Sequence, residues 1–263
     1  MSIVEIVDAG TLHPRIAALL WLVIEARRSI LLASEPPMSG KTTVLSALVA
    51  FLAVDTQPVF VRGLSETFDY AKSVDPDKGY LLVNELSSHL PVYLWGAKAT
   101  RMFRTLAQGF GLGTTMHADD VGEVLAQLRG ELDLTDDDLG RIDVIGIMRT
   151  LVGETAITGH DDVPPELRFG RDAIRRRLVA LHLVSRTAAG IETPHLCVWD
   201  IGADEHRLSL DPHLEELARR TGRSVTALCD ALLQRETFLT QLSERGARRP
   251  SVVRDAIAAY RGA

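Results

Sequence analysis

Cysteine and aromatic residues are scarce in this chain: 263 residues contain 2 Cys and 5% Phe, Trp and Tyr. The two thiols, Cys197 and Cys229, have neither metal-ligand spacing nor the density of a disulfide framework. Each sits among apolar neighbours, which predicts buried thiols in a reducing compartment. Few rings combined with a formal net charge of −6 argue against a general nucleic-acid binder, which pairs a basic face with stacking platforms. Long apolar runs are also missing. The longest, Ile16 to Ile24, falls far short of the roughly 20 residues a membrane span requires. The N-terminus has no basic region leading to a cleavage site. A cytoplasmic chain without a transmembrane segment is expected. With 46% hydrophobic residues it is long enough for one large domain, or one with a small appendage.

What is present centres on Ser29 to Leu48. The run Ile30 to Ala33 reads as a short buried strand, and Val44, Leu45, Leu48 and Val49 recur at helical spacing after it. Between them Gly40-Lys41-Thr42 fills the last three places of G-x-x-x-x-G-K-[ST]. That pattern binds phosphate because loop amides and a helix N-terminus point at the oxygens, the lysine neutralises the outer phosphates, and the hydroxyl holds magnesium. The candidate binding residues are Pro36, Pro37, Met38, Ser39, Gly40, Lys41, Thr42 and Thr43, with Glu35 standing at the first glycine place. The alternative is a plain strand-turn-helix with a solvated Lys41.

Other stretches suggest where partners for that loop lie. A helix pattern follows Thr11, and Gln57 to Val61 forms a second β run. Gly79 to Glu85 forms a third, ending in a carboxylate suited to holding a metal or orienting water. Pro91 to Gln108 reads as a helix, and Gly111 to Met116 as a strand delivering His117 to a loop before a helix capped at Asp119-Asp120. Glu131 to Asp138 has five acids in eight residues but lacks the glycine and closing Glu of a calcium loop, so it reads as solvated. Ile142 to Met148 is another strand, and Gly153 to Gly170 an irregular connection. Arg171, Arg175, Arg176 and Arg177 precede Leu178 to Val184, which with Leu196 to Ile201 suggests a hairpin at the sheet edge. The arginines read as an exposed strand flank or, more sharply, as a phosphate or protein contact between subunits. From Asp211 the texture becomes short helices punctuated by Gly222, Gly246 and Pro250. The expected architecture is α/β with a mostly parallel central sheet, a C-terminal edge hairpin and a small helical appendage, divided as residues 1–208 and 209–263.

With loop, Glu85 and His117 in this order, the chain resembles the motor half of the type II/IV secretion ATPases, which serve secretion systems, type IV pili and archaeal flagella. Gly10-Thr11-Leu12 with Ala17 to Ala26 is similar to the helix before that family's phosphate loop, and Thr114 to Asp119 to its histidine box. The run Leu239 to Tyr260 resembles the helical end of archaeal-type members. The resemblance implies a RecA-like core, ATP and Mg2+ as ligands, a homo-oligomeric, hexameric ring, and work on an inner-membrane secretion or pilus platform. It assigns Lys41 to the outer phosphates, Thr42 and Glu85 to the metal, and Glu85 and His117 to catalysis. The sequence departs from the family at Glu35 and Met38, at Pro37, at Arg62-Gly63 where an acidic box is expected, and around Asn84-Glu85-Leu86-Ser87. Two readings follow: a magnesium-dependent ATPase, or a degenerate paralogue acting as an assembly or regulatory subunit. A DNA translocase, resting only on the arginine cluster, is a third.

Overall fold

A computed structural model describes residues 1–35, 38–152, 155–157 and 174–262. The chain opens with α1 (Ile3–Asp8) and α2 (Pro14–Glu25), then β1 (Ile30–Ala33), α3 (Lys41–Leu48), β2 (Gln57–Val61), α4 (Tyr70–Ser73) and β3 (Gly79–Leu86). It continues through α5 (Gly96–Thr105), β4 (Gly111–Met116), α6 (Val121–Gly130), α7 (Asp136–Leu139), β5 (Val144–Val152) and β6 (Thr155–Ile157). The antiparallel strands are β7 (Ile174–Leu183), β8 (Ser185–Thr187), β9 (Gly190–Glu192), β10 (His195–Asp200) and β11 (Glu205–Leu208). Three helices close the chain: α8 (Leu214–Arg220), α9 (Val225–Glu244) and α10 (Pro250–Gly262).

The main sheet runs β11-β10-β7-β5-β1-β4-β3-β2, with β6 beside β5. Its five strands β5-β1-β4-β3-β2 are parallel, and β7 turns the sheet antiparallel from there outward. The result is a mixed α/β protein with a mostly parallel central sheet. Helices cover both faces, so alternate residues of one strand join different apolar clusters. Ile30 and Leu32 of β1 pack with α2 and α3, whereas Leu31 and Ala33 pack with α5 and α6. Tyr80 and Leu82 of β3 divide from Leu81 and Val83 in the same way.

Helix α2 has no polar stripe along Ile16–Ile24, and all nine residues are buried. A helix apolar all round must be covered all round, and α9 and α10 cover the side away from the sheet. Leu228, Leu232 and Leu239 of α9 with Val253 and Ile257 of α10 thus join the cluster that contains α2 and β1. Ser224 caps α9 by accepting from Ala227 N at 3.2 Å, as its sequence suggests.

Several expectations are corrected. Helix α2 starts at Pro14 with His13 as its cap, after the separate α1. Helix α5 starts at Gly96 rather than Pro91, because Leu94 N donates to Glu85 O at 3.2 Å and Ser87 N to Leu94 O at 3.3 Å, holding that stretch beside β3. The edge hairpin is larger than expected: β7 pairs with β10, β8 and β9 fold out as a separate ribbon, and β11 forms the edge. Cys197 is buried but Cys229 only half-buried. The connection placed at Gly153 to Gly170 lies largely outside the described residues. Among the described residues no helix is long and apolar enough to cross a membrane.

Candidate active site

The carboxyl ends of β1, β3 and β4 converge on one side of the parallel sheet, where α/β proteins place their ligands. A hollow of about 630 Å3 opens there, lined by Ser39 to Val44, Glu85 and His117. Its other walls carry Met38, Tyr93, Ile174, Arg175 and Arg176, and an N-terminal side with Ile6, Ala9 and Thr11.

The loop enters α3 through Gly40, whose φ of +90° is left-handed and whose missing Cβ would lie 2.9 Å from Arg176 Cδ. Only glycine fits both conditions. The first helical bond of α3 is Val44 N to Gly40 O at 2.9 Å, and no side chain caps the turn. The amides of Lys41, Thr42 and Thr43 therefore lack intrahelical acceptors at the positive end of the helix dipole. Ser39 is 1% exposed and its hydroxyl has no partner among the described residues. Met38, although non-glycine, adopts φ +61° and holds its side chain 70% exposed, so it does not fill the hollow. Pro36 and Pro37, also placed in the loop by sequence, lie outside the described residues.

Lys41 is 6% exposed, and its Nζ donates to Ser34 O at 2.7 Å. Burial lowers its pKa to about 8, against the opposing pull of Glu85 and Glu35. Glu85, whose charge acts on this lysine, sits at an irregularity in β3. Val83 pairs with Thr114 and Leu86 with Met116, so β3 spends one residue more than β4 over this span. Such a bulge re-aims a side chain, and Thr115 Oγ1 secures it by donating to Asn84 O at 2.6 Å.

His117 faces Glu85 Oε1 through Nε2 at 2.7 Å and Glu35 O through Nδ1 at 3.0 Å. Two acceptors suit a ring carrying both protons, and its pKa is raised, chiefly by the Glu85 hydrogen bond, with burial and Lys41 opposing. Gln127 Nε2 donates to His117 O at 3.0 Å, fixing the loop after β4 from α6. Glu35 does not line the main hollow; it lines a smaller polar pocket of about 240 Å3 behind His117.

The arginines expected as a strand flank part company in the structure. Arg177 is buried rather than exposed: its Nε and Nη2 meet Asp204 Oδ1 and Oδ2 at 2.7 and 2.8 Å, and Nη1 reaches Ala9 O at 2.9 Å. Arg175 also pairs with Asp204, at 2.9 Å. Arg175 and Arg176 of β7 line the hollow. Arg171 lies outside the described residues. Arg149 was missed too; it pairs with Asp119 Oδ1 at 3.1 Å, bracing the loop after His117. After β2 a buried carboxylate exists at Glu66, but its oxygens accept from the amides of Arg62 and Phe68 at 2.9 and 2.7 Å. Glu66 thus shapes the backbone and does not line the hollow. Among the described residues no cluster of three or more His, Cys, Asp or Glu is arranged to hold a metal.

No family model matches the chain. An uncharacterized protein of Methanocaldococcus jannaschii is 26% identical over 156 residues, covering 50% of this chain and 27% of that protein. Among solved structures, the VirB11 ATPase of the Brucella suis type IV secretion system, in complex with sulphate, is similar at 19% identity and a TM-score of 0.37. That match covers 49% of this chain and 47% of the other. The chain thus spans about a quarter of the curated relative and about half of the structural one.

Proposed function

We propose that the hollow binds the phosphates of a nucleoside triphosphate, ATP with Mg2+, and that the chain is an ATPase of the secretion-motor kind. The observation that carries this reading is one convergence: Lys41, the Ser39 hydroxyl that has no partner among the described residues, the uncapped start of α3 and Glu85 share a single cavity. Buried donors without acceptors cost stability, about 1–3 kcal/mol each, and anionic oxygens would satisfy them. Lys41 supplies a cation to the walls beside Glu85. In this reading Lys41 contacts the outer phosphates, and Thr42, Thr43 and Gly40 offer amides.

Thr42 and Glu85 both line the cavity, and a hydroxyl with a carboxylate is the donor pair magnesium uses beside phosphate. These two would hold it; when bound it would neutralise phosphate charge. Glu85 would orient the attacking water, and His117 would hold the Glu85 carboxylate in place. The motifs shared with the secretion motors extend the proposal to a homo-oligomeric ring, hexameric in form, working from the cytoplasm on an inner-membrane platform. Residues 1–208 would form the nucleotide-binding part, with 209–263 as its helical support.

The test is phosphate release from MgATP. The wild type should turn over, Lys41→Ala should not, and Glu85→Gln should retain binding while losing turnover. Equal rates for all three would end the enzymatic reading. One observation favours binding without turnover: the Glu85 carboxylate is already engaged by His117 at 2.7 Å. Tight MgATP binding with no release in a single-turnover experiment would select that alternative, a nucleotide-bound assembly or regulatory subunit.

A further inference from the structure

The loop carries Met38 where a left-handed turn favours glycine, at φ +61°. A non-glycine residue there persists only when its surroundings hold it. Arg176 supplies the hold. Its Nε donates to Met38 O at 2.8 Å, and its Cδ lies 2.9 Å from where a Cβ on Gly40 would stand. The arginine is itself fixed. Its residue pairs with Thr150 of β5, and Arg177 Nη1 donates to Arg176 O at 3.0 Å while gripping Asp204.

We infer that Arg176 is a positioning residue: it straps the loop through the Met38 carbonyl, doing for this sequence what a glycine does elsewhere, so that the following amides stay aimed at the phosphates. The inference rests on the nucleotide reading of the hollow, but the strap acts on the loop before any ligand arrives. It assigns Arg176 a role through its Nε hydrogen bond rather than through its charge.

That distinction sets the experiment. Glutamine carries an N–H at the chain position of arginine Nε and no charge, so Arg176→Gln keeps the strap and removes the cation. Calorimetric titration with MgATP should show Arg176→Ala weakened about tenfold or more, Arg176→Gln within about threefold of wild type, and Met38→Gly combined with Arg176→Ala restored toward wild type. If Arg176→Gln falls as far as Arg176→Ala and Met38→Gly gives no rescue, the residue acts by charge and the strap is refuted. Hydrogen exchange of the amides at residues 38–43 in the ligand-free protein gives the second readout. It should speed up in Arg176→Ala and not in Arg176→Gln. Unchanged exchange in Arg176→Ala refutes the strap even if MgATP binds. Absence of MgATP binding in the wild type refutes the nucleotide reading while exchange still judges the strap. Thermal unfolding midpoints confirm that each variant folds.

Discussion

Two glutamates end two core elements of this protein, and their surroundings differ in one respect. Glu25, at the end of α2, accepts from Arg235 at 2.6 Å, Arg261 at 3.0 Å and Trp21 at 3.3 Å. Those donors are otherwise employed: Arg261 also reaches the Leu52 carbonyl at 2.6 Å, and both arginines lie over the Trp21 ring. Trp21 stacks on Phe51 with centroids 4.7 Å apart and meets Phe238 and Tyr260 edge-on. Around Glu25 the protein's own groups answer both carboxylate oxygens, although Arg235 Nε is buried without a partner among the described residues. Beside Glu85, which His117 meets, the buried Ser39 hydroxyl has no partner among the described residues, and α3 begins without a side-chain cap. Charged residues crowd both places. An uncapped helix start, rather than charge itself, marks the proposed ligand site off from the joint.

The largest effect should come from breaking the joint. Glu25→Ala leaves buried arginines without their carboxylate and should lower stability by about 3 kcal/mol, read from the urea midpoint, with MgATP affinity of the folded protein unchanged. Glu85→Ala should cost about 1 kcal/mol or less. Equal losses would erase the distinction between the two sites.

Next comes the titration of Lys41. Its folded pKa is depressed from 10.5 to about 8, so between those values the unfolded chain holds more protons than the folded one. Relative to Lys41→Met, wild-type stability should therefore rise from pH 8 to pH 10. Over the same range MgATP affinity should fall, because the free lysine is losing the charge that phosphate needs. Calorimetry in buffers of different ionisation enthalpy should detect proton uptake on binding at pH 8.5.

The smallest effect belongs to His117. Its folded pKa is raised above 6.5, so the stability it contributes is complete below pH 6.5 and lost as pH climbs through the folded value. Unfolding midpoints of wild type and His117→Gln should differ by about 1 kcal/mol at pH 6 and converge at pH 9. A gap that widens with pH would contradict the ion pair.

Much of this arrangement was legible from residues close in sequence. Strand β1, the glycine at the start of α3, the carboxylate ending β3 and the histidine after β4 each follow local rules of period, turn and cap. What stayed hidden depends on separation. Arg176 meets Met38 across 138 positions, and the Glu25 joint links residues about 210 and 236 apart. No periodicity reports such pairings. The bulge at Asn84-Glu85 was equally silent, because it arises from register between two strands rather than from either alone. Pro91 suits a first helical turn and so predicts a helix through Leu94, whereas pairing beside β3 competes for the Leu94 backbone and wins.

The central claim is that Lys41 and its loop form a phosphate site. Calorimetric titration of MgATP into wild type and Lys41→Ala at pH 7, with unfolding midpoints measured in parallel, tests it most directly. The account predicts saturable binding to the wild type, at least a hundredfold loss in the variant, and a midpoint for the variant at or above that of the wild type. Equal affinities, or no binding by either protein, would contradict it.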